Sequence, residues 1–137
     1  MQALYAGLDE VWNGRAAEMN RRLEAEGLPV RVENLATVWT VCYTRPSRYN
    51  WMLQYYLRAE GLALSWIGTG RLIFSLDYSE ADYQAVADRF VAAARAMQQD
   101  GWWWHLPVAT NASIKRRILK EMIANRLSKK ADHAAPR

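Results

Sequence analysis

The chain has 137 residues and a formal net charge of +4, and 51% of its residues are hydrophobic and 23% charged. This length fits one domain with a core of useful size, and the composition excludes an intrinsically disordered chain. No stretch approaches the roughly 20 apolar residues of a membrane span, and no basic segment followed by an apolar run begins the sequence. We therefore expect a cytoplasmic protein with no membrane partner.

Patterns of apolar residues predict seven elements in the first part of the chain. Helical periodicity followed by glycine predicts helices over residues 3–26, 49–60 and 80–99. Alternating or β-branched runs predict strands over residues 30–34, 37–44, 62–67 and 71–76. The order α-β-β-α-β-β-α indicates a two-layer α+β domain, in which helices cover a small, mostly antiparallel sheet.

Three short segments predict local features: a turn, a helix cap and an aromatic cluster. Gly68-Thr69-Gly70 lies between two predicted strands, which favours a hairpin turn over a phosphate-binding loop. Ser79 followed by Asp82 indicates a helix cap of the capping-box type. The run Trp102-Trp103-Trp104 is typical either of a contact that closes the domain or of an exposed docking patch.

The charge changes sharply near residue 110. Residues 1–109 carry ten Arg, no Lys and twelve acidic residues and sum to −2, whereas residues 110–137 carry eight basic and two acidic residues and sum to +6. This break predicts a domain over residues 1–109 and a basic tail over residues 110–137. The tail is expected to form one helix, about Ala112 to Leu127, and to be disordered after about residue 128.

Few residues suggest chemistry. Cys42 lies in an apolar strand pattern, where a buried and inert thiol is expected. His105 and His133 have no neighbour at metal-ligand spacing, so no metal site is predicted. The four lysines (Lys115, Lys120, Lys129 and Lys130) all lie in the tail, where a desolvated amine is not expected.

Several segments carry a resemblance to a known family. VWTVCYT, a helix that ends in RAEGL, and SLDYSEADYQAVADRF occur in the order found in the C-terminal small domain of class III pyridoxal-phosphate aminotransferases. The chain resembles this domain over roughly residues 3–100 and is most similar to glutamate-1-semialdehyde aminomutases. The resemblance implies part of an aminotransferase or aminomutase that closes over an amino acid-type substrate and is inactive alone.

The resemblance also implies partners and site residues. A missing large catalytic domain would carry the Schiff-base lysine, so pyridoxal phosphate belongs to the intact enzyme, expected as a homodimer, and no cofactor is expected on this chain alone. Arg71 corresponds to an arginine that pairs with the substrate carboxylate in many class III enzymes, and Ser65 and Trp66 would line the same pocket wall. No catalytic residue is implied. A strand-end arginine that pairs with Asp77, Glu60 or solvent is the alternative.

Two further interpretations stay open. The chain is alternatively a non-catalytic binding or interaction module, whose basic tail meets an anionic partner. Nucleic acid is not the expected partner, because the aromatic residues follow core periodicity. Arg45 and Arg48, which flank Pro46, face either an anionic partner or solvent.

Overall fold

The computed structural model describes residues 7–64 and 70–134, with side chains described as far as Leu127. The fold over these residues is α+β, as predicted. A three-stranded antiparallel sheet has the order β1-β2-β3 and is accompanied by four α-helices and one 3-10 turn. The elements are α1 Leu8–Ala25, β1 Val30–Leu35, β2 Val38–Tyr43, the 3-10 turn Asn50–Met52, α2 Leu53–Ala59, β3 Arg71–Ile73, α3 Glu80–Gln99 and α4 Asn111–Ala134.

One face of the sheet forms the core. Because side chains alternate along a strand, β2 buries Trp39 and Val41 on the same side. The ring of Trp39 has its centroid 6.1 Å from Trp12 of α1, 4.9 Å from Phe74 and 6.1 Å from Tyr83 of α3. Helices α1 and α3 therefore cover this inner face, and aromatic contacts join both layers.

The contact between α1 and α3 combines burial with polar bonds. The Tyr83 hydroxyl donates a hydrogen bond of 2.6 Å to the carbonyl of Arg15. The Arg15 guanidinium lies 4.6 Å from the Trp12 ring centroid and 5.2 Å from that of Tyr83, and it bonds Glu80 at 3.1 Å. This cation thus fixes the approach of two helices by stacking and by an ion pair.

Helix α3 begins with the predicted cap. Ser79 accepts a hydrogen bond of 3.2 Å from the amide of Asp82, and the Asp82 carboxylate accepts one of 2.9 Å from the amide of Ser79. Two backbone donors that helix geometry leaves unpaired are satisfied in this way. Helix α4 has a similar reciprocal pair between Thr110 and Ser113.

An asparagine closes one edge of the sheet. The side-chain amide of Asn20, on α1, donates to the carbonyl of Val32 at 2.9 Å and accepts from the Val32 amide at 2.8 Å. Val32 lies on β1, whose other edge pairs with β2. The two outward backbone groups of Val32 are therefore satisfied by a side chain instead of a strand.

Three elements differ from the sequence-based prediction. Of the strand predicted over residues 62–67, residues 62–64 are irregular, and the rest lies outside the described residues, as do Gly68 and Thr69. Strand β3 ends at Ile73 instead of residue 76, because a turn closed by a bond from the Tyr78 amide to the Ser75 carbonyl follows. The helix predicted to end near Leu127 continues to Ala134. The prediction of disorder after about residue 128 is therefore wrong for residues 128–134.

The longer helix has a local explanation. Residues 128–134 contain lysine and alanine, which favour helix, and neither glycine nor proline. Within the described part of the chain, no helix is both long and apolar enough to cross a membrane.

Candidate functional site

Among the described residues, no helix covers the outer face of the sheet. Pairing places Arg31 beside Cys42, then Glu33, Thr40 and Arg71 in one row across the three strands. Leu35, Val38 and Ile73 form the next row. We call these side chains the open sheet face: Arg31, Glu33, Leu35, Val38, Thr40, Cys42, Arg71 and Ile73.

Arg71 is the free cation of this face. It is exposed, and no described residue makes an ion pair or hydrogen bond with its guanidinium. Of the predicted alternative, pairing with Asp77 or Glu60 is absent among the described residues, whereas exposure of Arg71 to solvent agrees with it. Arg31, on the same face, pairs with Glu33. The face thus presents one neutralised arginine and one whose donors remain available for a carboxylate.

Gly70 sets the backbone direction immediately before Arg71. Its φ is +64°, and its carbonyl accepts a bond of 2.7 Å from the Val41 amide. A Cβ at this position would lie 3.3 Å from the Cβ of Val41. Glycine is therefore required both by the left-handed backbone and by the close approach to β2. Ser65 and Trp66, the other predicted site residues, lie outside the described residues.

An apolar row adjoins Arg71. Leu35 is 82% exposed and Ile73 71% exposed, and Val38 lies between them. Three aliphatic side chains in register across three strands make a continuous apolar strip. Such a strip beside a polar row is typical of a surface that meets another protein surface.

A second cluster joins the loop after β2 to α4. Arg48 donates to both carboxylate oxygens of Glu121, at 3.1 Å and 2.8 Å, and Arg117 lies 3.3 Å from the first of them. Arg48 is therefore paired within the chain and is only partly exposed, whereas the Arg45 side chain has no described partner. The hydrogen bond from Arg48 lowers the pKa of the Glu121 carboxyl, so it is ionised at neutral pH.

The three tryptophans Trp102-Trp103-Trp104 differ in exposure, so one closes the domain and two lie on its surface. The ring of Trp103 is half-buried and donates a bond of 2.9 Å to the carbonyl of Ala94 on α3. Trp102 and Trp104 are exposed and lie 5.4 Å and 5.9 Å from the Tyr49 ring centroid. The middle residue thus closes the domain, and its neighbours form an outer cluster.

This outer cluster borders a cavity of about 120 Å³. Its wall is mostly apolar, and two arginines, Arg48 and Arg117, line it from the loop after β2 and from α4. Sequence reasoning missed this cavity, because its walls come from segments far apart along the chain. The apolar residues in its wall include Tyr49, Trp104, Leu106, Ile114 and Ile118.

The remaining titratable residues are dispersed. Lys115 and Lys120 are exposed on α4. No group of three His, Cys, Asp or Glu side chains that would suit a metal ion occurs in residues whose side chains are described. Cys42 is partly accessible on the open sheet face, so the expectation that it is buried is wrong.

No protein-family model matches the chain, and no curated protein matches it either.

Proposed function

We propose that the chain is the C-terminal small domain of a pyridoxal-phosphate aminotransferase or aminomutase, resembling the glutamate-1-semialdehyde aminomutases. In this proposal the open sheet face lies against a large catalytic domain, and Arg71 binds the substrate carboxylate. The observation that supports it best is the unpaired guanidinium of Arg71 beside the exposed row Leu35, Val38 and Ile73.

Each half of this face suits its proposed task. A guanidinium binds a carboxylate through two parallel hydrogen bonds, which fixes orientation as well as position. The apolar row excludes water once a second surface covers it, and charge–charge attraction at Arg71 is stronger where water is excluded. Domain closure would thus strengthen the arginine–carboxylate pair when the substrate is bound.

The described lysines do not fit a cofactor anchor. A Schiff-base lysine needs a desolvated amine, whereas Lys115 and Lys120 are exposed on α4. When bound in the intact enzyme, pyridoxal phosphate supplies an electron sink for amino transfer. The share of this chain is therefore substrate positioning and closure, and we derive no chemical step from it.

The size of the native polypeptide tests the proposal. An antibody against the chain should detect a band far heavier than 15.8 kDa in extracts of the source cells. After borohydride reduction, that band should yield one pyridoxyl-lysine peptide from outside the present sequence. A native band of 15.8 kDa alone would contradict the proposal, as would stoichiometric labelling of Lys115 or Lys120 in the purified chain.

Substitution at Arg71 tests the assigned role in the intact enzyme. Arg71→Ala should raise KM for an amino acid about 10- to 100-fold, because a charged, bidentate pair is lost. A primary amine without a carboxylate should react unchanged. Arg31→Ala is the matched control, since that arginine lies on the same face and is paired with Glu33. Equal effects on both substrates would remove Arg71 from substrate binding.

A second candidate function is a non-catalytic module that meets an anionic partner. It is favoured by four exposed cations on α4 that have no described partner: Lys115, Arg116, Lys120 and Arg126. Changing all four to Gln in the full chain should abolish salt-dependent binding to a polyanion such as heparin. Binding that persists in this variant, or binding by neither form, would end this candidate.

A further inference from the structure

The cavity beside α4 shares no residue with the open sheet face. It lies where the loop after β2 and the segment before α4 meet the first turns of that helix. Aromatic and aliphatic side chains form most of its wall, and Arg48 and Arg117 are the arginines among its lining residues. A concave, mostly apolar site with a few convergent charged donors is typical of small-molecule pockets.

Glu121 shows what these guanidinium groups can hold. Its carboxylate accepts two bonds from Arg48 and lies within 3.3 Å of Arg117, yet Glu121 is not itself part of the cavity wall. The two arginines that line the cavity therefore already bind a carboxylate together. The ring of Tyr49 lies beside Arg48, with its centroid 5.7 Å from the guanidinium carbon.

We propose that this cavity binds a small carboxylate with an aromatic or branched apolar body, and that Glu121 is an internal placeholder for the ligand carboxylate on Arg48. The volume of about 120 Å³ sets the size of the ligand. A cavity of about 150 Å³ in another protein accepts benzene. The volume therefore suits one ring or one branched aliphatic group.

Displacement of Glu121 is inexpensive. The side chains of Arg48 and Glu121 are 33% and 42% exposed, and ion pairs that solvent reaches contribute little net stability. Glu121 also keeps a second cationic neighbour, because Arg117 is one helical turn away on α4. A ligand that gains burial of its apolar body in addition to the Arg48 bonds therefore competes successfully.

Benzoate is the probe, and the full chain is titrated by methyl NMR. Benzoate should shift the methyl signals of Ile114 and Ile118, which line the cavity, with a dissociation constant of about 1 to 10 mM. Ile73 and Ile123 are exposed elsewhere and serve as internal references. Benzyl alcohol, which has the ring without the charge, should bind at least about tenfold more weakly.

Two variants separate the role of Arg48 from that of the placeholder Glu121. Glu121→Gln keeps side-chain size and removes the competing charge, so benzoate should bind up to about fivefold more tightly. Arg48→Gln should weaken benzoate at least about tenfold and leave benzyl alcohol unchanged. Arg48→Lys keeps the charge without the planar fork and should give an intermediate affinity, which separates bidentate binding from charge alone.

Each contrary result overturns a stated part of the inference. Absence of shifts at Ile114 and Ile118 up to about 50 mM benzoate would exclude the site. Equal affinity for benzyl alcohol would exclude carboxylate recognition. Weaker binding by Glu121→Gln would show that Glu121 builds the cavity instead of holding its place. None of these outcomes depends on the aminotransferase proposal, because neither the open sheet face nor a second domain takes part.

Discussion

The domain body, residues 7–64 and 70–109, and helix α4 are stabilised in different ways. The body buries complete side chains, including Trp12, Trp39 and Tyr83, between the sheet and two helices. Helix α4 meets the body through the Arg48–Glu121 pair and its first turns, and its later apolar residues (Leu119, Met122, Ile123 and Leu127) are exposed. Burial therefore maintains the body, whereas the cap at Thr110 and a run of good helix formers support α4.

The largest loss of stability should follow removal of an aromatic ring from the domain body. Trp39→Ala should lower the free energy of unfolding by about 3 to 5 kcal/mol, because the ring contacts Trp12, Phe74 and Tyr83 and leaves a cavity. Urea denaturation followed by circular dichroism measures the change. Trp51→Ala is the control, since that ring is 53% exposed, and its cost should stay below about 1 kcal/mol.

A hydroxyl between α1 and α3 should give the next largest effect. Tyr83→Phe should cost about 1 to 1.5 kcal/mol, because the hydrogen bond from its hydroxyl to the Arg15 carbonyl is lost. Urea denaturation at pH 7 checks this value, and a loss below about 0.3 kcal/mol would contradict it.

The same hydroxyl links stability to alkaline pH. Burial raises the pKa of Tyr83 from 10.0 to about 12, so its neutral form is favoured in the fold. The associated stability is complete below pH 10 and decreases as pH rises toward 12. The pKa values of Tyr43 and Tyr56 are also raised to about 12. The Tyr83→Phe variant should therefore still lose some stability as pH rises toward 12, but less than the parent protein. An identical pH profile in the variant would remove Tyr83 from the explanation.

The cap of α3 provides a smaller effect. Ser79→Ala removes the oxygen that accepts from the amide of Asp82 and should cost about 1 kcal/mol. Thermal denaturation measures it, with Ser79→Asp as the rescue variant because aspartate also caps helices. A variant that melts like the parent protein would show that the capping box is dispensable.

The smallest effect on global stability should come from the connection to α4. Arg48→Gln should leave the melting temperature within about 2 °C of the parent value, since an exposed ion pair contributes little. Amide hydrogen exchange should nevertheless accelerate along α4 and stay constant in α1 and α3. Equal acceleration in all three helices would mean that α4 is part of one cooperative unit with the body.

Local features could be predicted from the sequence because their causes are local. The alternation in β1 and β2, the stop at Gly27 and the cap formed by Ser79 with Asp82 each depend on neighbouring residues. The unpaired state of Arg71 does not follow from the sequence, because it depends on where Asp77 and Glu60 lie in space.

Long-range features could not be predicted in this way. Arg48 and Glu121 are 73 positions apart, and no local pattern joins them. Val11 is an apolar residue of α1 next to the buried Trp12, yet it is 52% exposed. Periodicity gives the direction of a side chain along its own element, whereas burial also requires a second element opposite it.

The amide of Asn20 also constrains assembly. A strand from another molecule needs free backbone donors and acceptors to extend a sheet, and at Val32 both groups are already used by a side chain. Sheet growth past β1 is blocked at this point. The other edge strand among the described residues, β3, has only three residues and offers a short template, so both described edges disfavour edge-to-edge aggregation.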